Sequence, residues 1–217
     1  MTRTLLLSCA VASALTLAAC HKSGSNADQD LANPGDSAPV NTVQDMAAGP
    51  VGLASAATIG ATTEGFVPAA AMADMYEIEA GKIAVQRGNA DVKKFGQMMI
   101  DHHTKMSTEF KAALKAAGIA EPPATLDERR QGLINNLKAA GDTDFDEAYL
   151  HQQAAAHLEA LTLHKTYASR GDNAALKAVA EKAQPIVQQH IDELKRIGGD
   201  AVKDVLPGDA NAPAAAR

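Results

Sequence analysis

The chain has 217 residues, a formal charge of −6 and a pI near 5.6, with no tryptophan and aromatic residues at only 3%. An acidic chain with so few rings offers neither an electrostatic footprint for phosphates nor platforms for stacked bases, which excludes a nucleic-acid partner. Of the two cysteines, Cys9 falls inside the N-terminal apolar run and Cys20 at its end, which excludes an intrachain disulfide, a thiol nucleophile and a cysteine-based metal site from the mature protein.

The N-terminus opens with Arg3 and an apolar run from Leu5 to Ala19, the pattern of a secretory signal. The run is shorter than the ~20 residues that a spanning helix needs. It ends in Leu17-Ala18-Ala19-Cys20, which resembles the lipobox of bacterial lipoproteins. The resemblance implies removal of residues 1–19, lipidation of Cys20 and attachment to a membrane through that lipid. His21 follows the cysteine where an aspartate would mark inner-membrane retention, so the implied address is the periplasmic face of the outer membrane.

Residues 20–65 are rich in Gly, Ser, Asn, Asp, Pro and Ala without a sustained period, and are predicted to form a flexible tether. The first long helix is predicted to start near Pro68 and to stop at Gly88-Asn89, with Met72, Met75, Tyr76, Glu79, Ile83 and Gln86 along one stripe. A second begins around Asp91, runs through Val92, Phe95, Met99, His103, Met106 and Phe110, and is closed by Gly118 and Pro122-Pro123. A short helix is expected over residues 126–139. A third long helix follows over 144–170 with Tyr149, Leu150, His157, Leu161 and His164 on one side. A fourth spans 173–197 with Leu176, Val187, His190 and Leu194 in its stripe. Gly198 returns to Ala/Pro/Asp/Gly composition, so 199–217 is expected to be a disordered tail. The tight turns at 88–89 and 171–172, with one long connection between them, predict an all-α fold: a ferritin-like four-helix bundle over 66–198 whose crossover carries the short helix.

One polar group falls in the apolar stripe of each long helix: Glu79, His103, His157 and His190. Secondary candidates are Met99, His102 and Met106, which share the stretch MMIDHHTKM with His103, and His164, two turns beyond His157. Two readings of these residues stand. They form a metal site, for which imidazole, carboxylate and thioether donors suit copper or zinc. Otherwise they form a buried hydrogen-bonded network that sets helix register and binds nothing. The chain contains no Glu-x-x-His, which a di-iron carboxylate site requires on two helices, and no phosphate loop, His-Glu-x-x-His or nucleophile elbow. No catalytic residue is therefore assigned, and no cofactor is identified beyond that donor preference.

Several of these residues together resemble a family. Glu79-x-Gly81-x-Ile83-Ala84, Lys94-Phe95 with Met99-x-Asp101-x-His103-x-Lys105, Phe145-x-x-x-Tyr149 with His157, and Pro185 with His190 are similar to the bacterial domain of unknown function 4142, exported ferritin-like proteins often labelled outer membrane proteins. Ala156 stands where that family usually has aspartate, and His102 and His164 are additions. Met98 to Met106 is also similar, locally, to the Met-Ile-x-His-His signature of domain of unknown function 305, an exported group linked to copper. The resemblance implies a lipid-anchored envelope protein that binds a transition metal or aids tolerance of envelope stress. The alternative is a structural or protein-interaction module. A protein partner or homo-oligomer is left open.

Overall fold

The computed structural model describes residues 52–206. The signal segment, Cys20, most of the tether and residues 207–217 lie outside the described residues. Those described are all helical: α1 (52–59), α2 (Thr63–Arg87), α3 (Ala90–Ala116), α4 (Glu128–Ala139), α5 (Phe145–Arg170) and α6 (Ala174–Gly198), then a 3₁₀ turn at Gly199–Ala201. None of these helices is long and apolar enough to cross a membrane.

Polar caps fix most of the helix starts. Thr62, Asn89, Asp127 and Asn173 each accept from backbone N–H groups of the following first turn, satisfying donors that a helix start leaves free. The Thr62 cap begins α2 five residues before the expected Pro68. Proline is tolerated there because the carbonyl it cannot serve belongs to Glu64, an exposed residue. α3 closes as expected. Gly118 sits at φ +68°, and the Ile119 N–H reaches back to the Leu114 carbonyl at 2.9 Å, the pattern of a Schellman stop. The C-terminal tail differs from expectation. Residues 199–206 fold back, and Val202 and Leu206, spaced one turn apart, bury their side chains against the main core.

The four long helices close into a helical bundle: α2 packs on α3, α5 on α6, α3 on α6 and α2 on α5. The end contacts give the directions. The Asn89 N–H between α2 and α3 donates to Asp146 at the start of α5 (3.1 Å), while the Thr63 N–H at the start of α2 donates to Asp172 beyond the end of α5 (3.2 Å). Hence α2 and α5 run antiparallel, α3 and α5 run parallel, and residues 117–144 return the chain along the length of the bundle. α4 lies in that return segment and packs on α2 and α5. Arg87 ties it down, donating to the carbonyls of Leu137 and Ala140 at 2.6 Å while its guanidinium lies 4.6 Å from the Phe145 ring centroid.

Two apolar clusters fill the bundle. One surrounds Phe95, Met99, Phe145, Tyr149, Val187 and Leu194; the other surrounds Phe66, Phe110, Leu114, Tyr167 and Leu176. Between them lies a polar layer. α2 and α3 approach closely enough that a Cβ on Gly81 or on Gly96 would stand 2.8 Å from the other's carbonyl oxygen. Alanine ordinarily favours a helix interior over glycine by ~1 kcal/mol. Gly96→Ala is nevertheless expected to lose about 1–3 kcal/mol through overpacking, read as a lower urea midpoint at unchanged slope.

Candidate metal centre

The polar layer is built from α2, α3, α5 and α6. His103, His157 and His190 each point a ring nitrogen inward, and the three nitrogens lie within 4.8 Å of one another. All three side chains are buried. Their positions follow from helical phase: each lies in a stripe of core residues, Phe95–Met99–His103–Phe110 on α3, Tyr149–His157–His164 on α5, and Leu176–Val187–His190–Leu194 on α6.

Hydrogen bonds fix how the rings are turned. The Nδ1–H of His157 donates to the Gln153 carbonyl at 2.8 Å, because a carbonyl can only accept. His157 Nε2 is then an acceptor, and it lies 3.1 Å from His190 Nδ1, which must carry the donated hydrogen. His190 Nε2 in turn accepts from His102 Nδ1 at 2.8 Å. One carbonyl thus sets the tautomers along a chain of three imidazoles that ends at half-buried His102. His103 stands apart from that chain. Its Nδ1–H donates to Asp74 Oδ1 at 2.8 Å, and its buried Nε2 has no hydrogen-bond partner.

Two carboxylates from α2 back the layer. Asp74 holds His103, and Glu77 Oε1 lies 3.8 Å from His157 Nδ1, with Glu77 Oε2 buried and unpartnered. Burial pushes the Glu77 carboxyl up to about 7 against the pull of a charged His103, and it raises Asp74 likewise. Burial also opposes charge on His103, but the hydrogen bond and charge of Asp74, with Glu77 behind, outweigh it and raise its pKa. His157 donates its hydrogen bond to a neutral carbonyl and not to a carboxylate; burial, followed by repulsion from His103, takes it down to about 3. Burial, followed by repulsion from His157, His103 and His102, lowers His190 strongly. Three neutral or deprotonable imidazoles therefore face one point, two of them oriented through Nδ1 by a carboxylate or a backbone carbonyl. That outer support is characteristic of histidines that ligate metals.

The structure separates the sequence candidates. His103, His157 and His190 come together. Glu79 does not: it lies at the bundle surface, 3.1 Å from Lys138 Nζ on α4. The inward side of α2 instead carries Asp74 and Glu77, in line with the buried small residues Ala70, Ala80, Gly81 and Ala84. The larger Met72 and Met75 are only half-buried and gave the wrong phase. Three-residue spacing of Asp74 and Glu77, in register with Ala70 and Ala80/Gly81, is the signal that could have found them. His102 joins as an outer partner of His190. Met99 is wholly buried in the main core, while Met106 is half-buried and lines a cleft with Asp74 and His164. His164 sits beyond the centre, edge-on to Phe66 at 5.6 Å, and burial lowers its pKa to about 4.

No curated protein and no solved structure matches the chain. Residues 48–197 match a family model described as a domain of unknown function, DUF4142. The matched span contains every member of the polar layer and the four long helices except Gly198, the last residue of α6, and the chain belongs to this DUF4142 family.

Proposed function

We propose that this domain is a ferritin-like bundle that holds a transition metal ion, copper or zinc, between His103, His157 and His190, and that it works at the cell envelope, carried there by a lipid on Cys20. One observation carries the metal reading: three buried histidine nitrogens from three helices converge within 4.8 Å. A tetrahedral ion with Zn–N or Cu–N distances of about 2.0–2.1 Å holds its nitrogens ~3.3 Å apart. The His157–His190 pair at 3.1 Å is already near that spacing. His103 offers Nε2 once its proton is displaced, and Asp74 and Glu77 supply negative charge behind the rings.

Support for the bundle class is the single long return connection at 117–144 between two tightly turned helix pairs. Support for the anchor is the Leu17–Cys20 box. Among those residues no nucleophile is paired with a base at the layer, so the reading stops at binding. A function in envelope stress follows if the bound ion is one the cell must buffer.

A second reading has its own observation. The chain from His102 through His190 and His157 to the Gln153 carbonyl is complete without any ligand, as a register-setting network in a structural module would be. Elemental analysis of the untagged protein separates the two. After dialysis against zinc or copper, stoichiometric metal is expected in the wild type and not in the His103→Ala/His157→Ala double variant. Absence of bound metal in the wild type, with no rise in thermal midpoint on adding either ion, would leave the network reading standing alone.

A further inference from the structure

We infer that His102 is a positioning residue that decides which nitrogen of His190 carries the ring hydrogen, so that Nδ1 presents a lone pair to the metal centre, through a reversal of the imidazole hydrogen-bond chain when metal binds. The inference rests on the metal reading above and deepens it.

The geometry leaves His190 in conflict with ligation. His157 can offer only Nε2, since its Nδ1–H is held by the Gln153 carbonyl at 2.8 Å. The His190 nitrogen next to that Nε2 is Nδ1, at 3.1 Å, and in the metal-free chain it bears the hydrogen. A metal ion needs a lone pair from each ring. His190 must therefore give up the Nδ1 hydrogen and remain neutral by carrying one on Nε2. The only group hydrogen-bonded to Nε2 among the described residues is His102 Nδ1, at 2.8 Å, with the two rings stacked at 5.0 Å between centroids.

The protons balance as follows. In the metal-free chain, His102 Nδ1–H donates to His190 Nε2, and His190 Nδ1–H donates to His157 Nε2. On binding, the His102 Nδ1 proton transfers to His190 Nε2. The His190 Nδ1 proton leaves to water, and His102 takes one proton from water at Nε2. The His102–His190 pair ends with the number of protons it began with, and the bond between them now points outward, from His190 Nε2–H to His102 Nδ1. His102 can exchange with water because it is only half-buried, whereas His103, His157 and His190 are buried. It thus does for His190 what Asp74 does for His103 and the Gln153 carbonyl does for His157. The difference is that an imidazole can act as donor before binding and as acceptor after it.

The test is nitrogen-detected NMR of histidine-labelled protein without metal and with one equivalent of zinc, beside zinc titrations of His102→Leu and His102→Gln. The expected result is a His190 ring protonated at Nδ1 without zinc and at Nε2 with it. His102→Leu, which can neither donate nor accept, is expected to bind zinc about 10–100-fold more weakly. His102→Gln, which can do both, is expected to recover most of that loss. Unchanged zinc affinity in His102→Leu, or a His190 that keeps its Nδ1 hydrogen with zinc bound, would overturn the inference. A wild type that takes up no zinc or copper overturns the metal reading itself and this inference with it. The wild-type spectra decide the tautomer whether or not the leucine variant folds.

Discussion

Metal-free protein, kept in chelator, is expected to lose roughly 1.5–3 kcal/mol of stability for each pH unit below about 6.5. The sign follows from the direction of each shift. His157, His164 and His190 have folded pKa values pushed down, to about 3 for His157 and about 4 for His164. An unfolded histidine takes a proton near pH 6.5. Above that pH these groups do not oppose folding. As pH falls toward their folded values, the unfolded chain binds protons that the folded chain refuses, and stability drops.

Glu77 works the other way. Its carboxyl is raised to about 7, so the folded chain already holds that proton while an unfolded glutamate is still ionised. Asp74 is raised too, and His103, also raised, is charged in both states. Three refused protons against one or two extra retained leave a net uptake of about one to two protons on unfolding, which gives the stated slope. Between pH 6.5 and 4.5 the loss approaches about 3–6 kcal/mol, comparable with the whole stability of a domain. Urea titrations at closely spaced pH values in chelator would measure it. A midpoint that stays level from pH 6.5 to 5 would contradict neutral burial of these rings.

Glu77→Gln is expected to stabilise the metal-free protein at pH 8 by about 2–4 kcal/mol, the linkage value of a carboxyl whose pKa rises from its ordinary range to about 7. A raised carboxylate contributes stability below its unfolded pKa, and that contribution is lost as pH climbs through the folded one. At pH 8 the buried anion with an unpartnered Oε2 is a net burden. Glutamine keeps the shape and removes the charge. The gain should vanish below about pH 5, where the carboxyl is protonated in the folded chain. The same substitution is expected to weaken metal binding, because it removes one of the two negative charges behind the histidines. A variant that is more stable empty and poorer at holding metal marks a site retained for binding at a cost in stability. A pure packing network would be improved by the change and would show no second effect.

Much of the fold was legible from the sequence because its signals are local. The boundaries expected at Gly88-Asn89, Leu126, Asn173 and Gly118 are reproduced by the structure within about two residues, the usual play at helix ends. His103 and His190 are legible because α3 and α6 are distinctly two-faced, so a histidine in the apolar stripe points inward, while His157 on the less polarised α5 is legible from its alignment with Tyr149, Leu150 and Leu161. α2 resisted because alanines occur on all its sides and no stripe stands out. Its buried positions mix Phe66, Val67, Tyr76 and Ile83 with alanines and Gly81, and the small residues Gly81 and Ala84 reflect contact with Gly96 on another helix. For that reason the periodicity of α2 passes over Asp74 and Glu77 and favours Glu79, which aligns with the larger Met72, Met75 and Ile83. The early start of α2 and the burial of Val202 and Leu206 depend on single contacts, a cap and a two-residue apolar anchor, too brief to register as a period.

The return segment at 117–144 also has a kinetic meaning. Pairing of α2 with α3, and of α5 with α6, needs only local closure across tight turns, whereas bringing His103 against His157 and His190 requires the two pairs to meet through that long loop. The centre therefore assembles last, as a rivet between two halves already formed. An ion held there would act mainly on the rate of coming apart: it should slow unfolding many-fold while leaving the rate of folding nearly unchanged.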